Sequence, residues 1–192
     1  MRADLEAIAR WVQPGSRVLD LGCGDGSLLR HLWQGNQAPG YGVEIDDDSV
    51  LACVENDVNV LQVDLESGLS LFADQSFEYV ILSQTLQAVH RTEAILREML
   101  RVGREAIVSF PNFGHWNARL QVLLGRMPVS ESLPYEWYET PNVHHCTITD
   151  FEDLCRRLDI RIREKLVLHG GKPVTLLPNV LGSLAVYRCT AA

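Results

Sequence analysis

No apolar stretch in this 192-residue chain reaches the roughly 18 residues needed to cross a bilayer. The opening Met1-Arg2-Ala3-Asp4-Leu5-Glu6 also lacks the uninterrupted apolar core of a secretion signal. The expectation is a cytoplasmic protein without a membrane partner. Runs of lysine or arginine are absent as well, and 17 basic against 25 acidic side chains leave a formal charge of −8 that repels phosphate backbones, so no nucleic acid partner is expected. Five cysteines, Cys23, Cys53, Cys146, Cys155 and Cys189, form no C-x-x-C pair, and their odd number speaks against a disulfide framework. Most of them read as reduced, buried, small apolar side chains. Internal repeats and low-complexity segments are missing too. So is G-x-S-x-G, which leaves the chain without the nucleophile elbow of an α/β-hydrolase-type acyltransferase.

What is present is a hydrophobic content of 46%, enough for one domain over 1–192 with a substantial core. Leu5, Ile8, Ala9 and Val12 recur at helical spacing before Pro14-Gly15. Arg17–Leu21 then reads as a buried strand, Gly22–Gly26 as a loop, and Ser27 onward, with Leu28, Leu29 and Leu32, as a helix. The pattern repeats with a strand at Tyr41–Ile45, a helix over Asp47–Glu55, and strands at Val58–Val63 and Phe77–Leu82. Thr92 is positioned to cap a helix carrying Ile95, Leu96, Met99 and Leu100 that ends near Gly103, ahead of a strand at Ala106–Phe110. Strands alternating with helices imply a doubly wound α/β fold on a mainly parallel sheet. The alternation breaks down over about 111–146, an aromatic-rich insertion with a short helix at Trp116–Leu124. Thr149 or Asp150 then caps a helix through Leu158, and strands at Ile160–Leu168 and Leu184–Cys189 complete seven.

Chemistry concentrates in the first turn. Asp20-x-Gly22-x-Gly24-x-Gly26 puts glycines at alternate positions between a strand and a helix, where exposed N–H groups cradle a ligand. The dinucleotide spacing G-x-G-x-x-G would need glycine at position 27, where Ser27 stands, and this disfavours NAD or FAD. The carboxylate of Asp20 at the strand end suits a ligand bearing an ammonium group better than a pyrophosphate. Glu44 closes the second strand, near the offset at which an acidic side chain accepts hydrogen bonds from ribose hydroxyls. Asp46, Asp47 and Asp48 read as a solvated, helix-capping cluster. Asp64 ends the third strand, where it is either a ligand contact or a plain turn residue.

Val18–Gly26, Gly42-Val43-Glu44-Ile45-Asp46 and Val63-Asp64-Leu65 together resemble the class I S-adenosylmethionine-dependent methyltransferase family. That resemblance implies a Rossmann-like seven-stranded sheet. It also implies S-adenosylmethionine or S-adenosylhomocysteine as cofactor, with Asp20, Gly22, Gly24 and Gly26 around the methionine moiety, Glu44 at the ribose, Asp64 at the adenine, and Cys23, Ile45, Leu65 and Ser83 as further cofactor-binding residues. A narrower resemblance, to the MetW family of methionine-biosynthesis proteins, is carried by four segments: Ser83–Val89, Phe110–Trp116, Gly125–Val129 and Leu133–Asn142. It implies an accessory role beside MetX, the homoserine O-acyltransferase. An active methyltransferase and a ligand-binding module with an unrelated partner remain the alternatives.

Among polar residues beyond strands four and five, Gln84, Gln87, His90, Asn112 and His115, none reads as a catalytic base. The amides do not take up protons near neutral pH, and the histidines lie among apolar and aromatic neighbours. His144-His145-Cys146 places adjacent residues on opposite sides of an extended segment, so no metal site is expected. Cys23 reads as a small packing residue beside the ligand rather than a nucleophile. Within the insertion, Trp116, Tyr135, Trp137, Tyr138, Arg119 and Arg126 are residue types enriched at interaction hot spots. They suit a lid, a docking surface, or a satellite core over the sheet edge.

Overall fold

The structure, a computed structural model, describes residues 2–130 and 133–192; Met1, Glu131 and Ser132, the last two inside the insertion, lie outside the described residues. α1 (Ala3–Trp11) buries Leu5, Ile8 and Ala9. β1 (Val18–Leu21) is buried at all four positions, the pattern of a parallel strand covered on both faces. α2 (Ser27–Asn36) buries Leu28, Leu29 and Leu32 as its periodicity predicts. β2 (Gly40–Glu44) and α3 (Asp47–Glu55) follow. β3 (Val60–Gln62) is shorter than the stretch Val58–Val63 predicted for it, because the Val58 amide donates to Cys53 O at 2.9 Å and so closes α3 instead of entering the sheet.

β4 (Phe77–Ser83), α4 (Thr92–Val102) and β5 (Gly103–Pro111) complete the parallel half. Thr92 does not cap α4. Arg91 holds the N-cap position without a side-chain bond, and the Thr92 hydroxyl donates to Val89 O at 3.4 Å. After α5 (Trp116–Leu123) comes α6 (Ile148–Arg157), capped by Thr147 rather than by Thr149 or Asp150. The Thr147 hydroxyl accepts from Asp150 N, and Asp150 Oδ2 accepts from Thr147 N, both at 3.2 Å. This capping box satisfies two groups that the first helical turn would otherwise leave unpaired.

β6 (Ile160–His169), β7 (Lys172–Pro173), α7 (Pro178–Leu181) and β8 (Leu184–Ala191) finish the chain. The sheet order is β3-β2-β1-β4-β5-β8-β6-β7. β1 to β5 are parallel, and β8 inserts antiparallel between β5 and β6. The seven expected strands become eight because Gly170 and Gly171, at φ of 52° and 75°, reverse the chain and let Lys172–Pro173 pair back onto Leu168 and His169. Only glycine enters that region freely.

Helices cover both faces. On one, α4 contributes Ile95, Leu96, Met99 and Val102, and α6 contributes Ile148, Phe151 and Cys155. There Tyr187 is fully buried, stacked on Phe110 at 5.9 Å and against Phe151 at 4.7 Å, and its hydroxyl donates to Glu152 Oε1 at 2.8 Å. On the other face α1, α2 and α3 pack Leu5, Ile8, Leu28, Leu32 and Cys53 against the sheet. The strand order reverses between β1 and β4, and at such a switch point the loops leaving the two strands diverge and open a crevice at their carboxyl ends.

Candidate functional site

The glycine loop occupies that crevice. Gly22 adopts φ +68°, and a Cβ there would stand 2.7 Å from Thr85 Oγ1, so the position needs glycine on both counts. Gly24, at φ +55°, has nothing within 4 Å of where a Cβ would point, leaving the loop edge open to close approach by a ligand. Its amide donates to Glu44 Oε2 at 2.8 Å. The other oxygen of Glu44 accepts from Ile45 N at 2.8 Å and Asp46 N at 3.2 Å. The carboxylate at the end of β2 is therefore locked in place against the loop.

Asp20 is 2% exposed, and its Oδ1 is buried without a hydrogen-bond partner. Burial, reinforced by the nearby negative charge of Glu44 and opposed by Arg2, pushes its carboxyl up to about 7. A buried acceptor left unpaired is costly unless a ligand completes it. A cationic group placed there would both satisfy the oxygen and favour the ionised form.

An open crevice of about 160 Å³ continues from the loop, walled by Gly22, Glu44, Ile45, Asp64 and Leu65 together with Thr85. These elements bring five of the ten expected residues to one surface. Asp64 is exposed, its Oδ1 caps the short turn Leu65–Ser67 by accepting from Glu66 N at 2.9 Å, and its other oxygen has no partner among the described residues. Thr85, Ala88 and Val89, also on the wall, lie in the segment that carries the MetW resemblance but were not among the expected ligand contacts, because they lie in or beside the 3₁₀ turn Leu86–Ala88, which no glycine or carboxylate marks.

Three expected residues face elsewhere. Cys23 turns its thiol inward, 3.7 Å from Cys53 Sγ, and packs where a Cβ on Gly42 would otherwise lie. Burial, and then the charge of Asp20, raises its pKa, so it stays a thiol and packs, as read from sequence. Gly26 faces Val58 and Cys53. Ser83 is committed to a separate polar cluster: its hydroxyl lies 2.7 Å from Arg2 Nη2 and 3.1 Å from Asp4 Oδ2. Asp4, fully buried, also accepts from Gln84 Nε2 and Ser109 Oγ, both at 3.1 Å, and from Arg2. Although burial alone would raise its pKa, the hydrogen bond and charge of Arg2, with the Gln84 and Ser109 bonds, hold that carboxyl below its ordinary value. The cluster ties α1 to the ends of β4 and β5.

Asn112 is structural, its amide donating to Gly182 O at 2.7 Å and its Oδ1 accepting from Gly114 N at 3.0 Å. His115 is buried and stacked on His169 at 4.9 Å, and burial followed by the His169 charge lowers its pKa. His144 Nε2 meets His90 O at 3.2 Å while His145 stacks on Phe113; rather than taking opposite sides, both line one cavity together with Cys146, and among the described residues no group of three or more metal-ligating side chains comes together. No helix among them is long and apolar enough to cross a membrane. The insertion does not form a satellite core from its aromatics, since Trp116, Tyr135, Trp137 and Tyr138 are all exposed.

Among solved structures, the fold is similar over 99% of this chain to an S-adenosylmethionine-dependent methyltransferase from Thermotoga maritima, with 88% of that chain covered, a TM-score of 0.69 and 20% identity. It is similar to the same degree to the cyclase SpnF, over 98% of this chain and 80% of that one, with a TM-score of 0.67 and 16% identity. The scaffold therefore hosts more than one chemistry. A bifunctional methionine biosynthesis protein, MetXA/MetW, from Rhodopirellula baltica is 40% identical over 176 residues, covering 86% of this chain but only 28% of that protein's length. Residues 2–189 match the family described as methionine biosynthesis protein MetW, and the chain belongs to that family.

Proposed function

We propose that this protein binds S-adenosylmethionine or S-adenosylhomocysteine at the carboxyl edge of β1 and β2 and acts as an accessory partner of a homoserine O-acyltransferase. The observation that carries the ligand assignment is the lone buried oxygen of Asp20 beside an open glycine loop. The ligand's ammonium supplies the missing donor at Asp20. Glu44, held by three backbone amides, presents its remaining lone pairs to the ribose hydroxyls, and Asp64 and Leu65 flank the base. When bound, S-adenosylmethionine would supply an electrophilic methyl group; the acidic side chains at the crevice, Asp20, Glu44 and Asp64, are the ones this reading assigns to holding the ligand itself, which favours a sensing role over turnover.

The partner assignment rests on the fused MetXA/MetW relative and on the insertion. Within it, Leu123 is 83% exposed and Trp137 69%, with Trp116, Leu124 and Tyr138 also open to solvent. Large apolar side chains of this kind suit a protein interface, and an acyltransferase subunit is the occupant that the fusion indicates. Mixing the purified chain with a homoserine O-acyltransferase, with and without S-adenosylmethionine, is expected to change the acylation rate. Rates unchanged by the chain would overturn the reading. Leu123→Asp combined with Trp137→Asp is expected to abolish the effect while leaving ligand binding intact.

A second reading, methyl transfer to a small acceptor, draws on a cavity of about 570 Å³ reached past Gln84 and lined by Arg2, His115 and His169. Accumulation of S-adenosylhomocysteine with methionine-pathway intermediates would favour it over the accessory role.

A further inference from the structure

A second cavity, of about 560 Å³, opens on the opposite side of the turn Leu86–Ala88, between α4, α6 and residues 143–146. Its size lies within the roughly 300–1,000 Å³ of small-molecule sites. Leu86, Phe110, Phe113, Leu133, Phe151 and Leu154 line it with apolar surface. Arg91 and Arg157 stand on its rim, exposed, and neither guanidinium has an ion-pair or hydrogen-bond partner among the described residues. The lining also carries two carboxylates, Glu93 and Asp150; Asp150 accepts from Thr147 in the capping box of α6, and neither is paired with the arginines, whose N–H donors are therefore unused. Deeper in, Gln87 donates through Nε2 to Gln84 O at 2.6 Å, while its Oε1 is buried and accepts from nothing.

An apolar chamber whose unused hydrogen-bond donors are guanidinium groups suits a molecule that brings acceptors to its rim and an apolar body to its walls. Arginine pairs with a carboxylate through two parallel N–H donors, while the chamber walls take up apolar surface. We propose that this cavity is a second ligand site, taking a small carboxylate with an aromatic or branched apolar body. Leu86 and Gln87 line the chamber, whereas Ala88 and Val89 of the same segment line the crevice. One short turn is thus a wall common to both sites. The proposal goes beyond the accessory role and stands whether or not that role holds.

Phenylbutyrate serves as the probe, with phenylbutanol lacking the charge and butyrate lacking the ring. Calorimetric titration of the full chain is expected to give phenylbutyrate an affinity at least about tenfold above either control. Arg91→Gln combined with Arg157→Gln is expected to bring phenylbutyrate down to the level of the alcohol. Ala94→Trp, at the exposed mouth of the cavity, is expected to block all three. All of these substitutions are at exposed positions, so the fold is retained. Equal binding of acid and alcohol, undiminished binding to Ala94→Trp, or no binding at millimolar concentration would each overturn the proposal. The last result, coupled with weakened capture of a protein partner by the arginine variants, would assign the cavity to a macromolecule instead.

Discussion

The amide of Gly24 and the carboxylate of Glu44 are joined by a 2.8 Å hydrogen bond across β1 and β2. Twenty residues apart in sequence, they hold the loop and the end of the second strand in one fixed relation before any ligand arrives. Pre-organisation of this kind lowers the ordering cost of binding.

Removing that carboxylate therefore acts twice. Glu44→Ala is expected to weaken S-adenosylmethionine binding by about 1.5–3 kcal/mol, the range for hydrogen bonds to a charged group, and to lower the melting temperature by freeing the Gly24, Ile45 and Asp46 amides. Glu44→Gln, which keeps an acceptor for Gly24, is expected to recover most of the stability and less of the affinity. Calorimetry and thermal melts on the two variants separate the effects.

Asp20 makes both stability and binding depend on pH. Its folded pKa of about 7 lies above its unfolded value of 3.8, so the folded state holds the proton more tightly. Its contribution to stability is full below about pH 4, is lost as the pH rises toward 7, and is level above that. Ligand binding runs the other way. An ammonium group needs the ionised carboxylate, so affinity is expected to rise about tenfold between pH 6 and pH 8, with proton release visible as a buffer-dependent heat. Asp20→Asn is expected to flatten both profiles, and an unchanged slope would show that a different group titrates.

Gly22 tests the backbone of the loop. Gly22→Ala adds a methyl group 2.7 Å from Thr85 Oγ1 at a φ of +68°, and the strain alone is worth about 1–3 kcal/mol. Urea unfolding is expected to shift by at least that much. Adding Thr85→Ala is expected to recover the steric part and leave the conformational part.

Thr147→Ala removes the capping box of α6. The expected loss is about 1 kcal/mol, measured by denaturant midpoint. Affinity for S-adenosylmethionine should be unaffected, because no residue of α6 lines the crevice.

Much of the parallel half was legible in the sequence because its signals are local. Leu28, Leu29 and Leu32 repeat at helical spacing, β1 is apolar at three of its four positions, and the alternate glycines mark a turn whose backbone other residues do not readily adopt. Caps were harder to place. Thr92, Thr149 and Thr147 all carry a hydroxyl near a helix start, and the choice among them depends on where the preceding loop delivers the chain. The additional strand, β7, escaped notice because two residues carry no periodicity.

The sequence by itself determined the alternation of strands and helices, the glycine loop, and the presence of acidic side chains at the ends of the first three strands. Tertiary structure decided which of those polar groups are spent and which are free. Asp4 meets Ser109 across 105 positions and draws Ser83 into the same cluster, whereas Asp20 Oδ1 is left without a partner. Spacing along the chain limits only nearby contacts, while hydrogen-bond partners are supplied by whatever the fold brings within about 3 Å. A carboxylate's availability for a ligand is therefore settled by packing between elements far apart in the chain.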